Sequence, residues 1–449
     1  MRLEIHQINV SQGDATLIIH RDLPALRAKI NLTMTAPTNS VDLLPFAIKN
    51  GIDLEGTVKY AVLVDAADGT YGYDVFEYMQ RYGVKGKATQ KNFYTVLTHY
   101  HSDHMGGIND VFNKRGPKYD IDKKDIEANY PPARAYDIGE DSKFDPDTAV
   151  FGSYLGELKE KVKFKIARKI LKPGQAIDLG KGINNTQIQL LCLATNRNVL
   201  NFGLVPFKYK ADQNARSLVL VLEYGPFRHF LGGDIGGDGD KVGGNLGKNA
   251  DSRNKKGFQK LVSSHDDIET SIRTALETQY PKSGATPKGH VCSFKTNHHG
   301  SASSNDVFLL ATMRPKIVLI SSGAKDSFHS HPTQEVLNRL ESGSWKNSAG
   351  KTITNSIENY YITEMAADNT KKKFKREFTN GRIIGDIIVR PFDNDIKDEG
   401  VNGLTMHVYG SGAPAALGAG FMALRPSITS DPLNPDATNG PWEHECDLH

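Results

Sequence analysis

The sequence contains little cysteine: Cys192, Cys292 and Cys446 are the only three among 449 residues. They are widely spaced along the chain, and no two of them form a CxxC pair. Neither a framework of disulfide bonds nor a zinc site built from thiolates is therefore expected.

Charge imbalance and long apolar runs are also absent. The 55 Lys and Arg residues nearly balance the 52 Asp and Glu residues, which leaves a formal net charge of +3. Bulk electrostatics therefore do not require a polyanionic partner such as nucleic acid, although a local basic surface is compatible with one. No apolar stretch reaches the roughly 18 residues that span a bilayer, and the charged N-terminus MRLEIHQINVSQGDATLIIH lacks the apolar core of a signal peptide. We expect a soluble, cytoplasmic protein that does not associate with membranes.

Short apolar strands alternate with helical patterns along most of the chain. YAVLVDAADG predicts a buried strand that ends at Asp65, and DVFEYMQRYG after it has the apolar spacing of a helix. FYTVLT is the next strand of this kind. This alternation predicts a layered α/β core.

The pattern weakens in two parts of the chain. Between about residues 110 and 180 we expect an insertion, in which FGSYLGELKEKVKFKIARKILK predicts one or two helices. After residue 345, GRIIGDIIVRPF and GLTMHVYG predict edge strands or a small β appendage, followed by a Pro- and Asp-rich tail. The expected organisation is a main domain over residues 1–345, including the insertion, and a C-terminal β extension over residues 346–449.

The stretch THYHSDHMGG, at the end of FYTVLT, places three histidines and an aspartate within six positions. His99 and His101 are two residues apart, so on an extended segment their side chains point to the same side. Asp103 and His104 follow on a turn and can face a second ion. Imidazole and carboxylate together suit zinc, iron or manganese better than calcium or magnesium. The alternative is a loop that is merely rich in histidine, and then no further ligands would converge on it.

Further candidate ligands follow later strands. Asp234, the pair His298 and His299, and then His331 each come just after an apolar strand. In an open α/β arrangement ligands gather at one end of the strands, so these positions can meet in space. The repeated strand context favours a metal site over a histidine-rich loop.

Together these motifs resemble a known fold. THYHSDHMGG resembles the HxHxDH signature of the metallo-β-lactamase fold, a four-layer αββα sandwich. More narrowly, VSQGDA, VLVDAADG, FLGGDIGG, NHHGSASS and LISSGAKDSFHSHP, in this order, resemble the nuclease-like domain of the ComEC/Rec2 competence proteins and their free-standing relatives. The similarity extends from about Met1 to Gly343, with the segment from Asp110 to Gly180 poorly matched. It implies that residues 1–345 form the catalytic domain.

The resemblance also implies a centre with two divalent metal ions, Zn²⁺ or Mn²⁺, built from the HxHxDH cluster and a bridging aspartate. The implied ligands are His99 and His101 for the first ion, Asp103 and His104 for the second, and Asp234 bridging both.

One histidine of the fold has no counterpart. Many members supply a histidine between the HxHxDH cluster and the bridging aspartate, but that interval contains only His229 here, inside a strand and expected to face elsewhere. The ComEC-like pattern also lacks it. His298 and His299 are the expected substitutes, although adjacent residues at a strand end need a turn to face one cavity. His331 is the third candidate, but we favour it as a phosphate contact or proton donor, because the HP motif opens a helix whose N-terminus attracts anions.

Other residues are expected to support the centre. Asp65 would hydrogen-bond a ligand imidazole and fix its tautomer, and Asp14 in QGDA would do the same or only shape its turn. Ser301 after HHG is a candidate substrate contact, although Gly- and Ser-rich turns are usually only turns. Asp103 and His331 are the expected catalytic residues.

The implied activity is hydrolysis of a phosphodiester by a hydroxide that bridges two metal ions. DNA, RNA or oligonucleotides are the leading substrates by resemblance. The alternative is a small phosphodiester, because ComEC-like relatives include esterases that act on phosphocholine. A metal-dependent oxidoreductase and a non-catalytic binding module are less favoured, since the Asp103–His104 pair and the other expected ligands are present.

Overall fold

The computed structural model shows a mixed α/β protein. It describes residues 2–40, 42–113, 131–141, 143–159, 166–207, 212–237, 265–284, 286–323, 331–365, 378–396, 403–411 and 441–447. Its helices are α1 (Leu23–Asn31), α2 (Leu43–Lys49), α3 (Gly72–Arg81), α4 (Gly86–Gln90), α5 (Ser102–Met105), α6 (Ile108–Asn113), α7 (Ala149–Lys159), α8 (Glu269–Gln279), α9 (Val307–Met313) and α10 (Gln334–Leu340). Each of these helices is too short or too polar to cross a lipid bilayer.

The strands contribute to two large sheets and one small hairpin. They are β1 (Leu3–Gln7), β2 (Thr16–Arg21), β3 (Val58–Val64), β4 (Phe93–Val96), β5 (Arg134–Asp137), β6 (Ala167–Ile170), β7 (Ala176–Lys181), β8 (Gln187–Thr195), β9 (Asn198–Val199), β10 (Gly203–Leu204), β11 (Val219–Tyr224), β12 (Phe227–Leu231), β13 (Ser293–Lys295), β14 (Ile317–Ile320), β15 (Ser344–Lys346), β16 (Thr352–Thr354), β17 (Asn359–Ile362), β18 (Gly381–Ile383), β19 (Ile387–Pro391), β20 (Gly403–Gly410) and β21 (Trp442–Asp447). The nine-stranded sheet has the order β21-β20-β19-β1-β2-β3-β4-β5-β6. The ten-stranded sheet has the order β10-β9-β8-β11-β12-β13-β14-β17-β18, with β7 paired to β8.

The ten-stranded sheet separates two apolar cores. Leu220 and Leu222 of β11 pack in the core shared with the nine-stranded sheet, whereas Val219 and Val221 pack with α8, α9 and α10. This alternation follows from the period of two in a β-strand. Helices α1, α2, α3 and α6 share the core of the nine-stranded sheet. The four-layer αββα arrangement predicted from the sequence is therefore confirmed.

The stretch predicted as an insertion differs in part from the expectation. In its described portions, β5 pairs in parallel with β4 and β6 pairs in parallel with β5, so these strands continue the nine-stranded sheet. The helical prediction holds for α7 but is wrong for residues 167–170, which form β6. The side chains of β6 are mostly exposed at the sheet edge, and the sequence ARKI therefore lacks a strand-like apolar pattern. Residues 114–130 and 160–165 lie outside the described residues.

The residues after 345 join both large sheets. Strand β18 is at the edge of its sheet, as expected, but β19 is an interior strand between β1 and β20. The predicted tail, of which residues 412–440 and 448–449 lie outside the described residues, contains β21, which pairs with β20. Trp442, His444 and Cys446 alternate with Glu443 and Glu445, a short pattern that the Pro- and Asp-rich context obscures. The boundary at residue 345 stays a prediction.

Candidate metal centre

The candidate ligands lie between the two large sheets, where parallel strands end. Strand β3 ends just before Asp65, and β4 ends just before the HYHSDH motif. Strand β12 ends shortly before Asp234, and β13 ends shortly before His298 and His299. Contacts between these segments show that the strand ends converge, as the sequence predicted.

His99 and His101 follow β4 on an extended segment, and α5 begins directly after them. Nε2 of His99 lies 3.0 Å from Nδ1 of His101. The other side of the His99 ring is fixed, because its Nδ1 lies 3.1 Å from Oγ1 of Thr98. Both rings therefore present a nitrogen to the same region, as their spacing of two residues predicted.

The carboxylate of Asp234 is surrounded by imidazoles. Its Oδ2 lies 3.2 Å from Nε2 of His104 and 3.5 Å from Nε2 of His299. The same oxygen lies 3.8 Å from Nε2 of His298 and 3.9 Å from Nε2 of His99. Four histidines from two separate segments of the chain thus point one nitrogen each at a single oxygen.

A left-handed turn allows the neighbours His298 and His299 to face one point. Their φ angles are 49° and 53° within the 3₁₀ turn Asn297–Gly300. Residues other than glycine rarely adopt this left-handed backbone conformation, which costs on the order of 1–3 kcal/mol per residue. Buried Glu269 holds the turn by accepting hydrogen bonds from Asn297 Nδ2 at 2.7 Å and from the Asn305 amide at 2.6 Å. The turn that the adjacent residues His298 and His299 need in order to face one cavity is therefore present.

Asp65 orients His104. Its Oδ2 lies 2.8 Å from Nδ1 of His104 and accepts a hydrogen bond from Oγ1 of Thr98 at 2.7 Å. Its Oδ1 accepts a hydrogen bond from the Thr98 amide at 2.8 Å. With Nδ1 engaged, His104 presents Nε2 to Asp234. This is the kind of contact predicted for Asp65, and it fixes the ring of a candidate ligand.

Asp14 supports His299 from the opposite side. Its Oδ1 lies 3.4 Å from Nδ1 of His299, and its Oδ2 contacts Nζ of the buried Lys295. Although burial opposes ionisation, Lys295 and His299 lower the pKa of Asp14 to about 2. The carbonyl of Ser321 lies 3.2 Å from the same His299 nitrogen. Nε2 of His299 is therefore the nitrogen directed at Asp234.

The buried carboxylates control the protonation of the histidines. Burial alone would lower the pKa of His299, but Asp234, Asp14 and Asp103 raise that pKa to about 10. Asp234 and Asp65 likewise raise the pKa of His104 well above its usual range against the effect of burial. Without metal ions, His104 and His299 are therefore protonated at neutral pH.

The remaining histidines of the cluster are neutral. Burial lowers the pKa of His298 to about 4, although Asp234 opposes the shift. Burial, His104 and His101 hold the pKa of His99 well below its usual range. Neutral imidazole is the form that binds metal ions.

The residues present fit two divalent cations. Nε2 of His104, Nε2 of His299 and Oδ1 of Asp234 are buried and make no hydrogen bond within the described residues. Two sets of ligand atoms, each set within 4.8 Å of one another, share Asp234. The sets are Asp14, His104, Asp234 and His299, and then His99, His101 and Asp234. Imidazoles and carboxylates of this kind suit zinc or manganese.

Asp103 and His331 lie next to these sets. Oδ2 of Asp103 lies 3.3 Å from Nε2 of His299, and its Oδ1 lies 4.0 Å from Nε2 of His104. Its side chain is 29 % exposed, so it borders both the cluster and solvent. The ring of His331 lies 5.6 Å from that of His298 and 6.2 Å from that of His299, between centroids.

Two other predicted positions have local partners. The buried hydroxyl of Ser301 lies 3.0 Å from Oγ of Ser303. His229 lies within β12, where its Nδ1 is 2.7 Å from Oγ of Ser293, in keeping with the expectation that it faces elsewhere. The role of Ser301 as a substrate contact stays a prediction.

Sequence reasoning missed three neighbours of the centre. Lys295 had a signal, since a lysine in the apolar strand VCSFK is unusual unless it is paired. Thr98 had none, because its role depends on the position of Asp65. His265, whose ring centroid lies 5.3 Å from that of His298, had none either, because the letters LVSSH before it carry no recognisable motif.

No protein-family model and no curated protein sequence matches this chain. Solved structures do match at low similarity. The metallo-β-lactamase fold protein YhfI from Bacillus subtilis is 12% identical with a TM-score of 0.32, covering 75% of this chain and 94% of its own. Unliganded yeast PDE1 is 8% identical with a TM-score of 0.32, and the match covers 83% of this chain and 90% of the PDE1 chain. The FEZ-1 metallo-β-lactamase from Legionella gormanii is 12% identical with a TM-score of 0.22, and the match covers 46% of this chain and 66% of the FEZ-1 chain. Similarity this low assigns no activity, so the chemistry of the centre has to come from its own residues.

Replacing Asp65 with Asn should weaken metal binding by about 10- to 100-fold, because His104 loses the partner that fixes its tautomer. A competition titration against a chelator measures the affinity. Asp68→Asn is the matched control, since Asp68 lies three residues further on and bonds only locally to Thr70 among the contacts described. Equal affinity in the two variants would contradict the role of Asp65.

Metal binding should be coupled to proton release. The raised pKa of His299 means that its proton must leave before the ring can bind an ion, so metal affinity should increase as pH rises toward about 10. At pH 7, calorimetry in buffers of different ionisation enthalpy should show about one more proton released by the wild type than by His299→Gln. The same proton count for both proteins would show that His299 is neutral before metal binds.

Proposed function

We propose that this chain is a metal-dependent hydrolase of the metallo-β-lactamase fold with a binuclear centre at Asp234. The observation that carries the proposal is that Asp234 belongs to both sets of converging ligand atoms. The proposed ligands are His99 and His101 for one ion, His104 and His299 for the other, and Asp234 for both. Asp103, whose Oδ2 lies 3.3 Å from Nε2 of His299, is proposed as a further ligand of the second ion, and His298 lies beside them. Asp14 belongs to the same set as His104 and His299, but its carboxylate faces Nδ1 of His299 and Lys295.

Contacts of the histidine rings with neighbouring side chains support this assignment. Thr98, Asp65 and Asp14 each contact the Nδ1 atom of one histidine, which leaves Nε2 of that ring for the centre. When bound, two divalent ions lower the pKa of a water molecule and neutralise charge that develops on phosphate oxygens. The contribution of the protein is to hold the ligands in fixed orientations and in a mostly buried site.

His331 is our candidate for the proton donor. Its ring lies beside those of His298 and His299 but is a member of neither ligand set. A ring nitrogen of His331 can protonate the leaving-group oxygen of a substrate or donate a hydrogen bond to its phosphate. Asp103, which borders solvent, would both bind its ion and help to position the substrate.

We propose a phosphodiester as the substrate, with DNA, RNA or oligonucleotides first. Support comes from the motifs VSQGDA, FLGGDIGG and NHHGSASS, which resemble the ComEC/Rec2 nuclease-like domain and contain Asp14, Asp234, His298 and His299. Every proposed ligand lies between residues 99 and 299, and His331 follows, so residues 1–345 remain our proposed catalytic domain.

A substrate panel tests this function. The full chain, loaded with Mn²⁺ or Zn²⁺, should hydrolyse at least one of single-stranded DNA, double-stranded DNA, RNA and bis-p-nitrophenyl phosphate. Turnover of p-nitrophenyl phosphocholine alone would instead favour a small-phosphodiester esterase. Failure on every member of the panel with both metals would contradict a phosphodiesterase.

His331→Ala should lower turnover by about 10²- to 10⁴-fold, the usual contribution of a general acid, while metal content stays unchanged. His407→Ala, which alters a histidine of β20 that contacts Glu443, is the control and should retain turnover. Loss of a metal ion from His331→Ala would contradict this role and show that His331 is a metal ligand.

A further inference from the structure

A second group of potential metal ligands lies away from Asp234. His290, Cys292 and Cys446 each offer a ligand atom, and these atoms all lie within 4.8 Å of one another. We call this group the Cys₂His cluster. Cys292 precedes β13, whereas the histidine pair of the first centre follows that strand. Asn297 lies five positions after Cys292, which is about 16 Å along an extended chain.

The cluster forms where the two large sheets meet. His290 and Cys292 are two residues apart and lead into β13 of the ten-stranded sheet, whereas Cys446 belongs to β21 of the nine-stranded sheet. Nε2 of His290 lies 3.8 Å from Sγ of Cys446, and the Cys292 thiol is in hydrogen-bond contact with that of Cys446. His290 and Cys446, which are 156 positions apart in the sequence, are therefore brought together. One imidazole nitrogen and two thiol sulfurs face one another at this point.

The environment of the cluster suits metal ligands better than plain packing. The three side chains are 3 %, 0 % and 1 % exposed for His290, Cys292 and Cys446. Nδ1 of His290 is buried and has no hydrogen-bond partner within the described residues. Burial, together with Arg228 and Arg314, lowers the pKa of His290 to about 4, so the imidazole is neutral and its lone pair is available. A buried polar atom without a partner is costly in an apolar core, and Nε2 of the same ring is the nitrogen that faces Cys446.

We propose that the Cys₂His cluster binds one thiophilic metal ion, with Zn²⁺ as the first candidate. Binding breaks two S–H bonds, forms two metal–thiolate bonds and releases two protons to solvent, with no change in oxidation state. Zn²⁺ with two thiolates and a neutral imidazole has no net charge, which reduces the penalty for burial. The carbonyl of Pro226, 3.7 Å from Sγ of Cys292, is a candidate fourth ligand.

The ion would fasten β21 to the ten-stranded sheet. Strand β21 is an edge strand with β20 as its neighbour. Its inward-facing His444 already bridges the sheets, with Nε2 2.6 Å from the Tyr361 hydroxyl and Nδ1 2.8 Å from Oε2 of Glu358. Cys446 lies two residues further along the same face. A metal ion there would be a structural site, distinct from the proposed catalytic centre.

Metal analysis of variants tests the proposal on the full chain, purified with a phosphine reductant and without chelators. Cys446→Ser should lose one ion per chain and unfold at a lower temperature than the wild type. Cys192→Ser is the matched control, because the buried thiol of Cys192 bonds to the carbonyl of Ala194 and lies outside the cluster; it should keep the full count. An unchanged metal count in Cys446→Ser would overturn the proposal.

Cobalt substitution of the wild type gives a readout that does not require a cysteine variant to fold. The proposed catalytic centre has no cysteine ligand, so a thiolate-to-Co²⁺ charge-transfer absorption in the wild type can come only from the Cys₂His cluster. The band should persist in Asp234→Ala, which separates this proposal from the proposed hydrolase function. Absence of the band in the wild type would overturn the proposal. So would an intact mass lower by two hydrogen atoms in unreduced protein, since Cys292 and Cys446 would then form a disulfide.

Discussion

The structure depends most on how the buried charge of Asp234 is compensated. A buried carboxylate costs several kcal/mol unless it is paired, and here one oxygen of Asp234 has four imidazole nitrogens within 3.9 Å. Asp14, Asp65 and Asp103 add further negative charge around the same rings. Two protonated histidines, His104 and His299, balance part of that charge in the metal-free protein. Divalent cations would replace those protons, so the same arrangement that stabilises the buried carboxylates prepares them for metal.

The two sheets matter because each supplies half of the arrangement. The nine-stranded sheet delivers Asp65 and the HYHSDH motif, and the ten-stranded sheet delivers Asp234 and the His298–His299 turn. The QGDA turn joins the halves closely, since the Ser321 hydroxyl, which follows β14 of the ten-stranded sheet, donates a hydrogen bond to the Gly13 carbonyl at 2.7 Å. Within the nine-stranded half, the Asp14 amide donates a hydrogen bond to the Asp103 carbonyl at 3.0 Å. A Cβ atom on Gly13 would lie 2.6 Å from that carbonyl, so glycine is needed at this position. The site is thus fixed by packing between layers.

Much of this arrangement could be predicted from the sequence because its signals are local. Ligands that follow apolar strands indicated the convergence of His99, Asp234 and His298, and the αββα layers followed from strand and helix patterns together with the resemblance of the motifs. What could not be predicted depends on partners distant in sequence. The pairing of Lys295 with Asp14, the strand character of β6 and β21, and the meeting of Cys292 with Cys446 arise only when the sheets assemble. Widely spaced cysteines therefore gave no indication of a shared site.

The most direct test of the account is the metal content of Asp234→Ala compared with the wild type. Asp234 is common to both ligand sets, so its removal should lower the count by two ions per chain. Inductively coupled plasma mass spectrometry on protein reconstituted with Zn²⁺ measures that difference, with thermal unfolding to show that the variant is folded. A folded variant that keeps all its ions, or loses only one, would contradict a binuclear centre bridged by Asp234.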